Sequence, residues 1–389
     1  LTKDKSRCKF SSGLNFQVLP FMNKLLLLFI TQFLHCTLAA QDEQALYATI
    51  DSIVVKHKQS GEIPAFAITV LINKRVAFEK TYGIARLKSK KKIGIHSDFH
   101  MASVSKPFTA TAIMQLVYSG KLNLDSSLCY YLPYFKMDDD RYRRITLRHI
   151  LTHSSGIPDA KDWDWGNQQL DDGAAERYVR SFTNQRLDFS PGSAFAYCSA
   201  SFDMLADVIA KVSGMTFEKY IRRNIFLPLG MQQSSFFLKD ISDERRTTPH
   251  VKDSSGKEIV SKIYPYNRIH APSSTLHSNL PDLQKWMELW LNKGSIKGVT
   301  VLDSASWQDM LIPRGELFPG LDICLGWVQI TVDGRKIYCH AGHDIGYRTF
   351  VGFDPEHGHA VVLMGNNDLF DPGEPAVEIF KAIFAKSPK

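Results

Sequence analysis

Two groups of strand-like segments, one near each end of the chain, constrain the fold more than anything between them. Near the start, AFAITVLINKRVAFEKTYGIAR (65–86) holds two runs rich in Val, Ile, Phe and Tyr, joined by a short turn at Asn73-Lys74. Near the end, CLGWVQITVDGRKIYCHAG, YRTFVGFDP and HAVVLMGN repeat that chemistry. Strands need partners for their backbone N–H and C=O groups, so sets at both ends favour one antiparallel sheet built from both termini. The residues between are rich in helix patterns broken by Pro and Gly, and read as an inserted helical lobe. The expected class is α+β (α/β in the broad sense), a helix-flanked antiparallel sheet. Its sheet lobe takes in about 43–120 and 282–385, and its helical lobe about 121–281. A cleft between two such lobes is a favoured place for a ligand.

Helices are expected over Glu43–Lys58, after Ser103, over Asp282–Leu291 and over Glu374–Ala385. The third carries Leu283, Trp286, Met287 and Trp290 on one stripe, at the spacing of a buried helical face.

The first forty residues read as a leader. Met22-Asn23-Lys24 precedes the apolar run Leu25–Leu34, and small residues end the segment at Ala39-Ala40, the pattern of a secretory signal peptide. Met22 is taken as the start, with 1–21 upstream of it. The apolar run is too short for a membrane-spanning helix, which needs about 20 residues. The expected product is an exported chain, periplasmic or secreted, of about 41–389, with no stable membrane span. Residues 1–40 hold five basic residues and one acid, so removing them lowers the formal charge from +7 to +3. That balance, with no basic block interleaved with aromatics, is not the footprint of a nucleic-acid binder. The dense run Lys88–Lys92 reads as a solvated hairpin edge. Cys129, Cys198, Cys324 and Cys339 form no C-x-x-C pair, so neither a zinc ribbon nor a redox motif is expected.

The pattern S-x-x-K occurs four times, starting at Ser6, Ser89, Ser103 and Ser254. Only Ser103 opens a helix: Phe108, Ala112, Ile113, Leu116 and Val117 follow at helical spacing, and Gly120 is a stop signal. A hydroxyl there lies near unpaired backbone N–H groups and the positive helix end. Lys106, one turn on, shares its face. A hydroxyl is a poor nucleophile at neutral pH and needs a base beside it. A capping serine followed by a surface lysine is the alternative reading of the same residues.

Longer segments in fixed order decide between them. ITLRHILTHSSGIPD (145–159), FSPGSAFAYCSASFDMLADVIAKVSG (189–214), IFLPLGM (225–231) and CHAGHDIGYRTFVGFDP (339–355) follow the Ser103 helix. Together they make the chain, from roughly 45 to 385, resemble the class C β-lactamase-like serine hydrolases. That family includes class C β-lactamases, D,D-peptidases, D-aminopeptidases and a group of carboxylesterases. The resemblance implies three motifs: Ser103 with Lys106 as S-x-x-K, Tyr197 as the tyrosine of Y-x-N, and His340-Ala341-Gly342 as the H-x-G form of the third. It implies Ser103 as nucleophile, and Lys106 and Tyr197 as the groups that take its proton and return it to the leaving group. Backbone N–H groups of Ser103 and His343 would hold the oxyanion. Gly342 would leave room for the acyl chain, and Ser199 and His340 would face the substrate. No cofactor and no metal are implied.

Three positions depart from the family pattern. Ser199 stands where Asn is usual, His340 stands where class C β-lactamases have Lys, and Ser273-Ser274 replaces a Gly pair. The first two argue against efficient β-lactam hydrolysis. The expected function is an exported serine hydrolase forming an acyl-enzyme on Ser103, with a small ester, amide or peptide as substrate. Its alternatives are a D-amino-acid peptidase or D,D-carboxypeptidase acting on cell-wall peptides, and a non-catalytic penicillin-binding-like protein. Three further features stand apart. His357 and His359 read as a hairpin tip rather than a metal pair, which lacks a third ligand. His149 and His153 belong to a structural turn. The loop with Trp163 and Trp165 either covers the substrate or anchors itself.

Overall fold

The structure, a computed structural model, describes residues 41–57 and 65–386. The expected leader lies outside the described residues. Residues 41–57 are helical, and the boundary between two compact units falls within that helix, after Asp51. The main sheet and the cleft belong to the second unit, Ser52–Lys389.

Nine strands form its main sheet among the described residues. In chain order they are β1 (Ala65–Ile72), β2 (Arg75–Arg86), β3 (Lys91–Lys92), β4 (Gly315–Phe318), β5 (Leu321–Ile323), β6 (Val328–Val332), β7 (Arg335–Asp344), β8 (Tyr347–Asp354) and β9 (His359–Gly365). In space they run β4-β5-β6-β7-β8-β9-β1-β2-β3, antiparallel throughout. The two ends of the sequence meet where β1 pairs with β9, from Phe66 opposite Gly365 to Leu71 opposite Ala360. At the β1–β2 turn, Asn73 and Lys74 both have positive φ (51° and 65°), as the tightest hairpins require. The lysine run ends as the edge strand β3, where like charges discourage further pairing.

β1, β8 and β9 are buried almost without alternation, so both faces of the sheet centre are covered. Ala65, Ala67, Ala360, Val362 and Met364 join the main core with Trp286 and Trp290 of the Leu280–Leu291 helix. Phe66, Ile68, Val70, Val361 and Leu363 alternate with them and are equally buried. The Gly373–Lys386 helix also packs on β9. Phe108 of the Ser105–Tyr118 helix stacks on Trp286 with centroids 3.8 Å apart. Each such side chain taken out of water is worth roughly 1.5–3 kcal/mol. That burial pins the helix carrying Lys106 against the sheet.

Between Leu122 and Pro272 the chain is mostly short helices, turns and loops, with one small pair of strands, His250–Lys252 and Glu258–Val260. All four described cysteines are unbridged. No helix among the described residues is long and apolar enough to cross a membrane.

Candidate active site

Ser103 lies in a single 3₁₀ turn, Ala102–Val104, that leads directly into the Ser105–Tyr118 helix. Ala102 has φ 49°, a left-handed conformation that costs a side-chain-bearing residue roughly 1–2 kcal/mol. Neighbouring groups hold the turn in place. Thr349 Oγ1 on β8 donates to Met101 O (2.7 Å), Met101 N donates to Leu276 O (2.7 Å), and Leu276 N donates to Ser105 Oγ (3.0 Å). On β7, a Cβ at Gly342 would stand 2.4 Å from both Met101 O and Thr349 Oγ1. The glycine is what lets the strand lie flush against the Ser103 turn. The room it leaves is taken by that turn, not by an acyl chain, which corrects the expectation for this residue.

Lys106 is fully buried, and its three ammonium protons have three acceptors: Ser103 Oγ at 3.1 Å, Ser199 Oγ at 3.0 Å and Ser273 O at 3.1 Å. The same nitrogen lies 4.8 Å from the centroid of the Tyr197 ring and 5.7 Å from that of Phe202. S-x-x-K and Y-x-S are thus brought together around one amine. Ser274, beside the carbonyl that Lys106 uses, donates to Asp344 Oδ2, which also holds His100 Nε2 at 2.7 Å. The pair that replaces two glycines is therefore bonded into the site's wall.

Tyr197 is held by residues that no motif pointed to. His153 stacks on its ring (4.3 Å between centroids, 28°), and His153 Nδ1 accepts from Cys198 N at 3.0 Å. Burial, with the charge of Lys106 adding to it, pushes the His153 imidazole well below its ordinary range and keeps it neutral. The LTHSSG turn is structural, as expected, and its carbonyls at His153 and Ser154 also anchor Ala196 N and Gly192 N. Asp159 Oδ1 accepts from both Ser199 N and Ala200 N at 2.9 Å, fixing the start of the Ser199–Asp203 helix.

The cleft over these groups encloses about 300 Å³. Ser103, Tyr197, Ser199, Gly342 and His343 line it together with Asp159, Trp163, Ala341, Arg348 and Asp371. On the β6 side, pairing ends with Val328 opposite Cys339, so β7 beyond Cys339 has no strand partner on that edge among the described residues. Trp163 lines the cleft and stacks on Trp165 (5.3 Å, 10°), and its carbonyl is bonded to His270 Nε2 at 2.9 Å. It therefore both borders the cleft and anchors its loop.

His340 does not face the cleft, a second correction. It is 5% exposed, its ring lies 6.3 Å from that of Tyr197, and its Nδ1 donates to Ala341 O at 2.8 Å. Burial, then the charge of Lys106, pushes its imidazole down to about 3. An unfolded imidazole titrates near 6.5. Acidification below about 6.5 therefore protonates the unfolded chain first, and stability present at neutral pH is lost as pH falls towards 3. The thermal midpoint is expected to drop between pH 7 and pH 4, and to drop less steeply in His340→Asn. An equal slope in the variant would contradict the neutral, buried assignment.

The other histidines fill structural roles. His149 completes a capping box with Thr146. His357 Nδ1 is bonded to Asp354 Oδ2 at 2.7 Å in the β8–β9 turn, and the His359 ring stacks 6.3 Å from that of His357. Among the described residues, the group of three side chains close enough to share an ion is His57, Glu374 and Glu378, none of which lines the cleft.

Comparison with known proteins gives the family. The family model described as Beta-lactamase matches residues 50–384. Protein flp of Staphylococcus aureus (strain COL) is 26% identical over 324 residues, 82% of this chain and 62% of that protein. The chain thus spans less than two thirds of the S. aureus relatives' length. "Penicillin-binding protein 4*" of Bacillus subtilis (strain 168) is 28% identical over 352 residues, 83% of this chain and 74% of that protein. Among solved structures, the octameric penicillin-binding protein homologue from Pyrococcus abyssi superposes with a TM-score of 0.75 at 24% identity, covering 88% of this chain and 78% of that one. A fold shared with that structure, a family match over nearly the whole described chain, and a serine, a buried lysine and a tyrosine gathered at one cleft lead to one assignment: the chain belongs to the beta-lactamase family of serine hydrolase-related proteins.

Proposed function

We propose that the protein is a serine hydrolase that forms an acyl-enzyme on Ser103 and prefers simple esters to β-lactams. The observation that carries the first half is the buried Lys106 amine 3.1 Å from Ser103 Oγ. In this reading Ser103 Oγ attacks the carbonyl, and its proton passes to the Lys106–Tyr197 pair. The pair then protonates the leaving oxygen, and water repeats the sequence to free the acid. The N–H groups of Ser103 and His343, whose residues both line the cleft, hold the developing oxyanion, a role worth about 3 kcal/mol per donor.

The preference for esters rests on Ser199 and His340. The Ser199 hydroxyl accepts from Lys106 and leaves a substrate one short donor, where Asn would offer a carbonyl and an amide at longer reach. His340 is buried and neutral and does not line the cleft, so it provides no fixed charge for a β-lactam carboxylate. Ester leaving groups need little of this help. We expect kcat/KM for a p-nitrophenyl ester to exceed that for a chromogenic cephalosporin by about a hundredfold or more, the scale set by one or two missing hydrogen bonds to a transition state. Equal values would contradict the ester reading. Faster turnover of a D-alanyl peptide than of the ester would favour the peptidase alternative.

A further inference from the structure

The catalytic cleft is not the largest void in the molecule. A second cavity of about 490 Å³ lies in the helix-rich region, and its lining shares no residue with the cleft. Four cations border it, Lys219, Lys239, Arg246 and Arg268, against one carboxylate, Asp172. Phe237 and Tyr266 give it flat apolar walls.

The cations differ in how they are occupied. Arg268 is buried and fully engaged: Nε pairs with Glu218 Oε1 (2.5 Å), Nη1 with Asp172 Oδ1 (2.8 Å), and Nη1 also donates to Leu170 O (3.0 Å). Arg246 pairs with Asp243. Lys219 and Lys239 have no ion pair among the described residues, and both are exposed. Lys239 Nζ lies 4.8 Å from the Phe237 ring centroid, and Arg268 Cζ lies 4.9 Å from it. Lys239 therefore lies over the aromatic wall, and it shares with Lys219 and Arg268 the single lining carboxylate, Asp172, leaving cations in excess. Excess positive charge around a concave surface with low-dielectric walls focuses potential on an anion. The aromatic faces reward a planar or acyl body, and both features together match the usual make-up of a small-molecule site.

We propose that this cavity is a binding site for an anionic ligand with an apolar body, in which a carboxylate, sulfonate or phosphate group faces Lys219 and Lys239 while the body lies on Phe237 and Tyr266. The site is separate from the Ser103 chemistry and does not depend on the substrate assigned to it.

The test uses 8-anilinonaphthalene-1-sulfonate as probe, titrated into the whole protein by fluorescence and calorimetry at low salt. Saturable binding of one equivalent is expected, weakening as salt is added. The variant Lys219→Glu/Lys239→Glu, altered only at exposed positions and checked for an unchanged thermal midpoint, should raise Kd about tenfold or more, since each reversal replaces attraction by repulsion. Arg348→Glu, a charge reversal in the catalytic cleft, should leave Kd within about twofold, because no cleft residue lines this cavity. Inorganic phosphate should compete only at much higher concentration, since it lacks the apolar body. An unchanged Kd in the lysine variant, loss of binding in Arg348→Glu, or absence of saturable binding would overturn the proposal. Phosphate binding as tightly as the dye would overturn its apolar half.

Discussion

Replacing Lys106 by alanine is expected to lower kcat/KM for a p-nitrophenyl ester by about a thousandfold, the range for removing a positioned acid–base group. Its amine touches Ser103 Oγ, Ser199 Oγ and Ser273 O, and no other cation is within hydrogen-bond reach of Ser103 among the described residues. Lys106→Arg is the sharper version. Arginine keeps the positive charge and supplies donors, but it does not give up its proton in proteins. If the lysine acts as a base, arginine should rescue little. If it only holds the serine by its charge, arginine should rescue most of the loss. Tyr197→Phe should also cost a large factor, and the Lys106→Ala/Tyr197→Phe double variant little more than the worse single one, because the two act as one unit. Retention of activity within tenfold in Lys106→Ala would contradict this account of proton transfer.

Gly342→Ala should be nearly as damaging for a different reason. The added methyl would stand 2.4 Å from Met101 O and Thr349 Oγ1 and 3.1 Å from the Ala102 methyl. Two of these contacts fall on the segment leading into Ser103, so either the strand or the nucleophile turn must move. Overpacking of this kind costs about 1–3 kcal/mol of stability. A displacement near 1 Å between nucleophile and oxyanion donors costs roughly a hundredfold in rate. The expected result is a hundredfold lower kcat/KM with a modest fall in thermal midpoint. A variant with normal kinetics would show that the glycine is not needed for the approach of β7 to the turn.

The residues proposed to do chemistry are legible because each sits in a local signature. Ser103 and Lys106 are one turn apart, and Tyr197 and Ser199 sit two residues apart in a recognisable segment. Their supports were not legible. Ser273 contributes a backbone carbonyl, which any residue type supplies, from 167 positions away. Asp159 reaches Ser199 N across 40 positions, and nothing local marks it as the cap of that helix. His153 sits in a turn sequence that gives no sign of a ring partner, yet its ring stacks on Tyr197. A signal did exist for His340: side chains alternate along a strand, so with Ala341 and His343 towards the cleft, His340 belongs on the other face. The sheet was readable where Val, Ile and Phe run unbroken. β4 and β5 escaped because Pro319 and Gly320 interrupt GELFPGLDI, although Gly320, at φ 79°, is what turns that hairpin.

Covalent chemistry at Ser103 can be read from the adduct it forms. The protein is treated with a fluorophosphonate, digested, and the adduct located by mass spectrometry, in wild type and in Ser103→Ala. One adduct per chain is expected, on the peptide that contains Ser103, and none in the variant. Persistent labelling in Ser103→Ala, or an adduct on another serine such as Ser254, would contradict it.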